Sequence, residues 1–191
     1  LPSAMPPSPP VDSCSLPGPC GDPLPSVRRR RPRRDDHGDH QTADHSTCRI
    51  PLILRWPGFE ARTDTALHHH FDWAATLIEG LGGTVPENWD GRSFWTALEE
   101  GQSDGRPYLV LSQGAHICQR GIRFDADGAA YLCLWTLNPG YKMIDPIMLF
   151  NLTDDPHEQH DLRAERPDLV ERAMRHLGTW QREMMTTATT D

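Results

Sequence analysis

The sequence predicts an α/β chain that ends in a small antiparallel sheet with a helix packed on it. Three patterns carry this expectation. A strand-like apolar run is followed by two helical segments. Strand-like runs then follow one another with turn residues between them, and an amphipathic helix closes the chain. Strand and helix in alternation argue for an α/β layer, and consecutive strands argue for an α+β part beyond it.

The first 35 residues differ in kind from the rest. Ten of the 18 prolines lie there, without hydrophobic periodicity. Such a segment buries too little apolar surface to offset the entropy of ordering, so it is predicted to be disordered. Globular character begins at Ile50. Ile50-Pro51-Leu52-Ile53-Leu54-Arg55-Trp56 is a short apolar run closed by Pro57-Gly58, which predicts a buried strand and a turn. A helix is expected from about Asp72 to Leu81. Trp73, Leu77, Ile78 and Leu81 form one apolar stripe there, and Gly82-Gly83 stops it. A second short helix runs from about Arg92 to Glu100.

Strands are expected at Tyr108–Ser112, Ile117–Phe124 and Ala130–Leu137. Gly114 and Asp127-Gly128 separate them, and Asp-Gly between two such runs is a hairpin signal. Met148–Leu152 reads as a fourth strand and Asp154-Asp155-Pro156 as a turn. The last helix opens near Pro167, with Leu169, Val170, Ala173, Met174, Leu177, Trp180 and Met184 on one face. Proline in the first turn followed by Asp168 suits a helix N-terminus. The expected organisation is 1–35 as a Pro/Arg-rich segment, 36–103 as the end of an α/β domain and 104–191 as a C-terminal α+β subdomain.

Composition narrows the function classes. A length of 191 residues suits one domain or one lobe of a larger one. Mean hydropathy is -0.61 and no run approaches the ~20 apolar residues of a membrane helix, so no membrane partner is expected. Six arginines and two aspartates in residues 1–34 give +4, and the remainder carries -12. A body this acidic is a poor nucleic-acid binder. The arginine run reads as a nucleic-acid or anion-binding arm, as a solvated tail with no role, or as coding sequence translated in a shifted frame. The chain starts at Leu1 rather than Met, which suggests that it begins inside a longer reading frame, and no signal-peptide pattern opens it. Five cysteines, an odd number without C-x-x-C spacing, argue against a disulfide framework or structural zinc and favour a reducing, cytoplasmic setting.

Four stretches, in order, carry a family resemblance. Arg49-Ile50-Pro51-Leu52-Ile53-Leu54-Arg55-Trp56-Pro57-Gly58 resembles the sulfatase-family pattern R-[VI]-P-x-[IL]-[VI]-R-W-P-G. Phe71-Asp72-Trp73-Ala74-Ala75-Thr76-Leu77 resembles its V-D-[IL]-x-P-T-L, with Ala75 where proline is usual. Asp90-Gly91-Arg92-Ser93 resembles its D-G-x-S. Leu149-Phe150-Asn151-Leu152-Thr153-Asp154-Asp155-Pro156-His157-Glu158 resembles its L-[YF]-[DN]-L-x-x-D-P-x-E. The likeness covers about residues 36 to 185. It implies the C-terminal part of an alkaline-phosphatase-like sulfatase fold.

The resemblance also implies a chemistry. Family members hydrolyse sulfate esters with a formylglycine made from the cysteine of C-x-P-S-R or C-x-A-S-R, and with a divalent cation (Ca²⁺, Mg²⁺ or Mn²⁺) as Lewis acid. This sequence has no C-x-[PA]-S-R, so formylglycine is not expected in it. His40, nine residues before Arg49, falls where the family places a sulfate-contacting Lys or His. An imidazole there can protonate a leaving-group oxygen or bind sulfate as a cation. Asp36-His37-Gly38 matches the family's metal-binding D-H-G, although the gap of four residues to His40 is shorter than the family's. Three adjacent histidines, His68, His69 and His70, are expected to point different ways, as surface or helix-entry residues. Cys118, Arg120 and Arg123 read as structural residues of the sheet.

The functional expectation is a fragment of a sulfatase-type hydrolase, inactive alone, whose intact parent takes a sulfated small molecule. The alternatives are a phosphonate or phosphate monoester hydrolase parent, or a non-catalytic remnant that binds a partner. The substrate, the oligomeric state and the metal's identity are not readable.

Overall fold

The computed structural model describes residues 42–187. Its elements in chain order are α1 (His45–Cys48), α2 (His70–Gly80), α3 (Trp95–Glu99), β1 (Tyr108–Gln113), β2 (Cys118–Ala126), β3 (Ala129–Asn138), β4 (Ile147–Asn151) and α4 (Pro167–Thr187). The expected segment 1–35 lies outside the described residues. No helix among the described residues is long and apolar enough to cross a membrane.

The four strands form one antiparallel meander in the order β1-β2-β3-β4. The four strands expected after residue 104 are each present within two residues of their expected ends. Asp127 at φ 51° and Gly128 at φ 76° make the two-residue turn between β2 and β3, with Ala126 opposite Ala129. Left-handed backbone at both turn positions matches the twist of the strands, which is why Asp-Gly is read as a hairpin signal.

The sheet buries both faces. Ile122, Phe124, Tyr131, Cys133 and Leu149 pack with Leu169, Ala173 and Leu177 of α4. These three helix residues are spaced by four, so they share one side of α4, and the final helix covers the sheet as its pattern predicts. On the opposite face Leu132, Leu134, Met148, Phe150 and Leu152 pack with Ala43. Alternation along β3 explains the split, because successive side chains point to opposite sides.

Two expectations fail. Ile50–Trp56 is not a buried strand: Ile50, Leu52 and Ile53 are 70%, 54% and 94% exposed, and no ladder involves them. A strand buried on both faces needs neighbours along its edges. The described strands pair only with one another, so this run stays unpaired. Its continuation docks on α3 instead, with the Trp56 and Phe59 rings 5.0 and 5.1 Å from that of Trp95.

The second failure is the buried side of α2. Its fully buried residues are Asp72, Ala75 and Thr76, whereas Leu81 is 76% exposed. A carboxylate network, described next, turns this helix.

Candidate functional site

Two buried polar clusters hold the segments that precede the sheet. The first surrounds Asp72 at the start of α2. Its carboxylate accepts from the backbone N–H groups of His69 and Arg92 at 2.7 and 2.8 Å, and from the Arg106 guanidinium. Burial alone would raise this carboxyl, but the bonds from Arg106, Arg92 and His69 hold it below the usual carboxylate range. Arg106 also donates to the Asp90 carbonyl, so the Asp90-Gly91-Arg92 turn and the strand-entry residue share one anchor.

The three histidines beside it diverge. His68 lies tilted against Phe94 with centroids 4.1 Å apart, His69 stacks on Phe71 at 4.0 Å, and His70 is exposed.

The second cluster sits on the sheet face away from α4, and it directly follows the candidate histidine in sequence. Thr42, Ala43 and Asp44 are each at most 1% exposed. Asp44 caps α1: its carboxylate accepts from the Thr47 N–H at 2.7 Å and the Ser46 hydroxyl at 2.9 Å, and from the Thr42 hydroxyl. A capping aspartate satisfies N–H groups that a helix start leaves unpaired.

Two distant side chains reach this segment. Gln119 of β2 accepts the Ala43 N–H at 3.1 Å and donates to the Thr136 hydroxyl at 3.0 Å. Glu158 accepts the His45 N–H at 2.7 Å. Burial pushes the Glu158 carboxyl up to about 7; the His45 N–H opposes this, and the charges of Asp44 and Asp155 add to it. Burial and the nearby Arg49 and Arg123 push His45 below its ordinary value. Burial, with Asp44 and Glu158, raises Cys48 to about 11, which makes it a poor nucleophile.

His40, Asp36 and His37 lie outside the described residues. Among the described residues no group of three or more His, Cys, Asp or Glu side chains is arranged to hold a metal ion. Cys118 is a half-buried free thiol. Arg120 donates to the Gln119 carbonyl, and Arg123 to the Phe124 carbonyl and to Asp125, so both arginines serve the sheet. Sequence reading did not single out Gln119, Asp44 or Glu158 as site residues. Asp44, three residues before Thr47, is the local signal of a helix cap, and Glu158 ends the D-P-x-E stretch.

No family model matches the chain. Curated relatives do. It is 28% identical over 153 residues to the multifunctional alkaline phosphatase superfamily protein PehA of Trinickia caryophylli, covering 68% of this chain and 29% of PehA. It is 27% identical over 155 residues to arylsulfatase J of Mus musculus, covering 61% of this chain and 26% of that protein. The chain resembles the sulfatase family.

The similarity is to the C-terminal portion of a sulfatase. The chain spans less than a third of the length of either relative. Among solved structures, a protein crystallised with its substrate D-glucosamine-2-N,6-O-disulfate aligns with TM-score 0.48 and 21% identity, over 63% of this chain and 24% of that one. The protein yidJ of Bacteroides fragilis, assigned to the sulfatases, aligns with TM-score 0.46 and 23% identity, over 57% and 23%. The divalent cation that the family resemblance leads one to expect finds no donor set among the described residues.

Proposed function

We propose that this chain is the C-terminal lobe of a sulfatase-type hydrolase that cleaves sulfate esters, and that it does not turn over substrate alone. The reading rests on the similarity to arylsulfatase J and PehA over more than 150 residues. The geometry adds that the segment after His40 is held by buried side chains from β2 and from the 155–158 turn.

In this reading His40 contacts the sulfate group, as a cation or as the acid that protonates the leaving oxygen. Asp36 and His37 contribute to a divalent-cation site, to which other residues must add, since Ca²⁺ takes six to eight oxygen ligands. The metal supplies Lewis-acid polarisation when bound. The nucleophile is not in this chain, because the sequence holds no C-x-[PA]-S-R. The substrate class is a sulfated small molecule. The second reading is a phosphonate or phosphate monoester as substrate, with which similarity to a multifunctional alkaline phosphatase superfamily protein is consistent.

A chimera tests this. Residues 36–187 replace the aligned segment of an active arylsulfatase, and a chromogenic aryl sulfate is supplied with Ca²⁺ or Mn²⁺. The isolated chain is expected to be silent. The chimera is expected to turn over, with a loss of about 100-fold on His40→Ala. A folded chimera that hydrolyses a phosphonate or phosphate monoester but no aryl sulfate favours the second reading, and one silent on all of them overturns both.

A further inference from the structure

We propose that the loop around Trp89 is a sugar-binding site: the indole stacks on the apolar face of an uncharged pyranose ring, and Asn88 and Asp90 take its hydroxyls. The site lies wholly within the described residues and does not depend on the sulfatase reading.

Trp89 is set apart from the other tryptophans. Trp56, Trp73 and Trp95 meet other aromatic rings, and Trp135 and Trp180 pack against the core under α4. Trp89 has neither kind of contact among the described residues and is 44% exposed. An indole carries a large apolar surface that folding usually hides, so one left in water is informative. A loose loop does not explain it. The Trp89 N–H donates to the Pro86 carbonyl at 3.2 Å, the Asp90 carbonyl accepts from Arg106 at 2.6 Å, and the Arg92 N–H donates to the Asp72 carboxylate at 2.8 Å. Gly91 lies flush on α2: a Cβ there would stand 2.6 Å from the Phe71 carbonyl oxygen. The backbone is thus anchored on both sides of Trp89, and a platform already fixed loses little freedom when a ligand arrives.

Phe71, Ala74, Asn88, Trp89, Asp90 and Gly91 line a shallow pocket of about 310 Å³ here. That is the small end of ligand pockets, with room for a ring rather than for a folded partner. The Phe71 ring is already engaged, with His69 stacked at 4.0 Å and the Arg106 guanidinium 5.3 Å from its centroid, which leaves Trp89 as the free aromatic plane. The Asn88 amide and the Asp90 carboxylate flank it in sequence, and neither side chain has a hydrogen-bond partner among the described residues. The amide both donates and accepts, and the carboxylate only accepts. A wholly apolar ligand would strip water from these groups without replacing its bonds. A small polar ion would leave the indole unused. A pyranose satisfies both parts: its C–H groups make an apolar face, and its edge hydroxyls donate to Asp90 and accept from Asn88. The Asp90 charge repels an anionic substituent beside it, so the ring bound here is uncharged.

The test uses the full chain with ¹⁵N-labelled tryptophan, whose six indole N–H signals are followed as methyl β-D-glucopyranoside is added. The Trp89 signal, assigned by its loss in Trp89→Phe, is expected to shift with a Kd of about 1–10 mM while the other five stay still. Asp90→Asn keeps the side chain's shape and the Arg106 bond to the backbone carbonyl, and should weaken binding about tenfold. Trp89→Ala should lose the magnetisation transfer from protein to sugar that the wild type shows. Both positions are exposed, so the melting temperature should barely move in either variant. A Trp89 signal that ignores the glucoside at about 100 mM overturns the site, as does an equal shift with glycerol, which has hydroxyls but no ring face. Magnetisation transfer unchanged in Trp89→Ala also overturns it, and so does a Trp89 signal that moves with a proline-rich peptide and with no sugar.

Discussion

Arg106 grips Asp72 with two donors of one guanidinium fork, Nε 2.8 Å from Oδ2 and Nη2 2.5 Å from Oδ1. The aspartate is 1% exposed and the arginine 18%, so removing either leaves a poorly hydrated charge. Asp72→Ala is expected to cost about 3–5 kcal/mol, read as a lower denaturant midpoint. The folded carboxyl lies below its unfolded value, so its contribution is present above about pH 4 and is lost as pH falls through the folded value. The alanine variant should lack that acid step. A variant as stable as wild type at pH 7 would remove the network from the reasons α2 buries Asp72.

Glu158 gives the opposite sign. Its ordinary value of 4.5 rises to about 7 on folding, so the stability it contributes is full below pH 4.5 and is lost as pH climbs through 7. Glu158→Gln should therefore leave stability unchanged at pH 4 and raise it at pH 8, by on the order of 2–3 kcal/mol. Thermal melts at the two pH values decide it.

His176 of α4 stacks on Tyr108 with ring centroids 4.3 Å apart, and its buried Nε2 has no hydrogen-bond partner among the described residues. Burial, Arg172 and Arg175 hold it below its ordinary 6.5. Unfolded chains take up this proton first, so stability is full above about pH 6.5 and falls as pH drops toward the folded value. His176→Phe should flatten the loss of Tm between about pH 7 and pH 5.5 relative to wild type.

Ile50 and Ile53 are 70% and 94% exposed, so charging them should be harmless to the fold. The double variant Ile50→Lys/Ile53→Lys is expected to shift stability by less than about 0.5 kcal/mol per site. It should also bind less of an apolar dye such as ANS. A large loss of stability would restore the buried strand that the sequence suggested.

The sheet and its helix were legible because their signals are local. Alternation marks each strand, Asp127-Gly128 dictates its own turn, and residues spaced by four on α4 reveal the packed side. Ile50–Trp56 misled because burial of a strand depends on neighbours, which its own composition cannot report. On α2 an apolar stripe was read where Asp72 is in fact buried, and a polar anchor leaves no trace in hydrophobic periodicity. Gln119 and Glu158 escaped notice as site residues for a related reason: their bonds span 76 and 113 residues of sequence. His40, Asp36 and His37 rest on motif likeness and lie outside the described residues.

The β1-β2-β3-β4 order joins every strand to its neighbour in the chain. Loops between partners are short, so their closure entropy is small and the meander can assemble quickly from nearby pieces. The segment at residues 42–45 must instead find Gln119 and Glu158 across long separations, which makes its docking the late, slow event. During synthesis that early segment waits without its second anchor until the ribosome has passed Glu158, so residues 42–45 are fully captured only after all four strands have emerged.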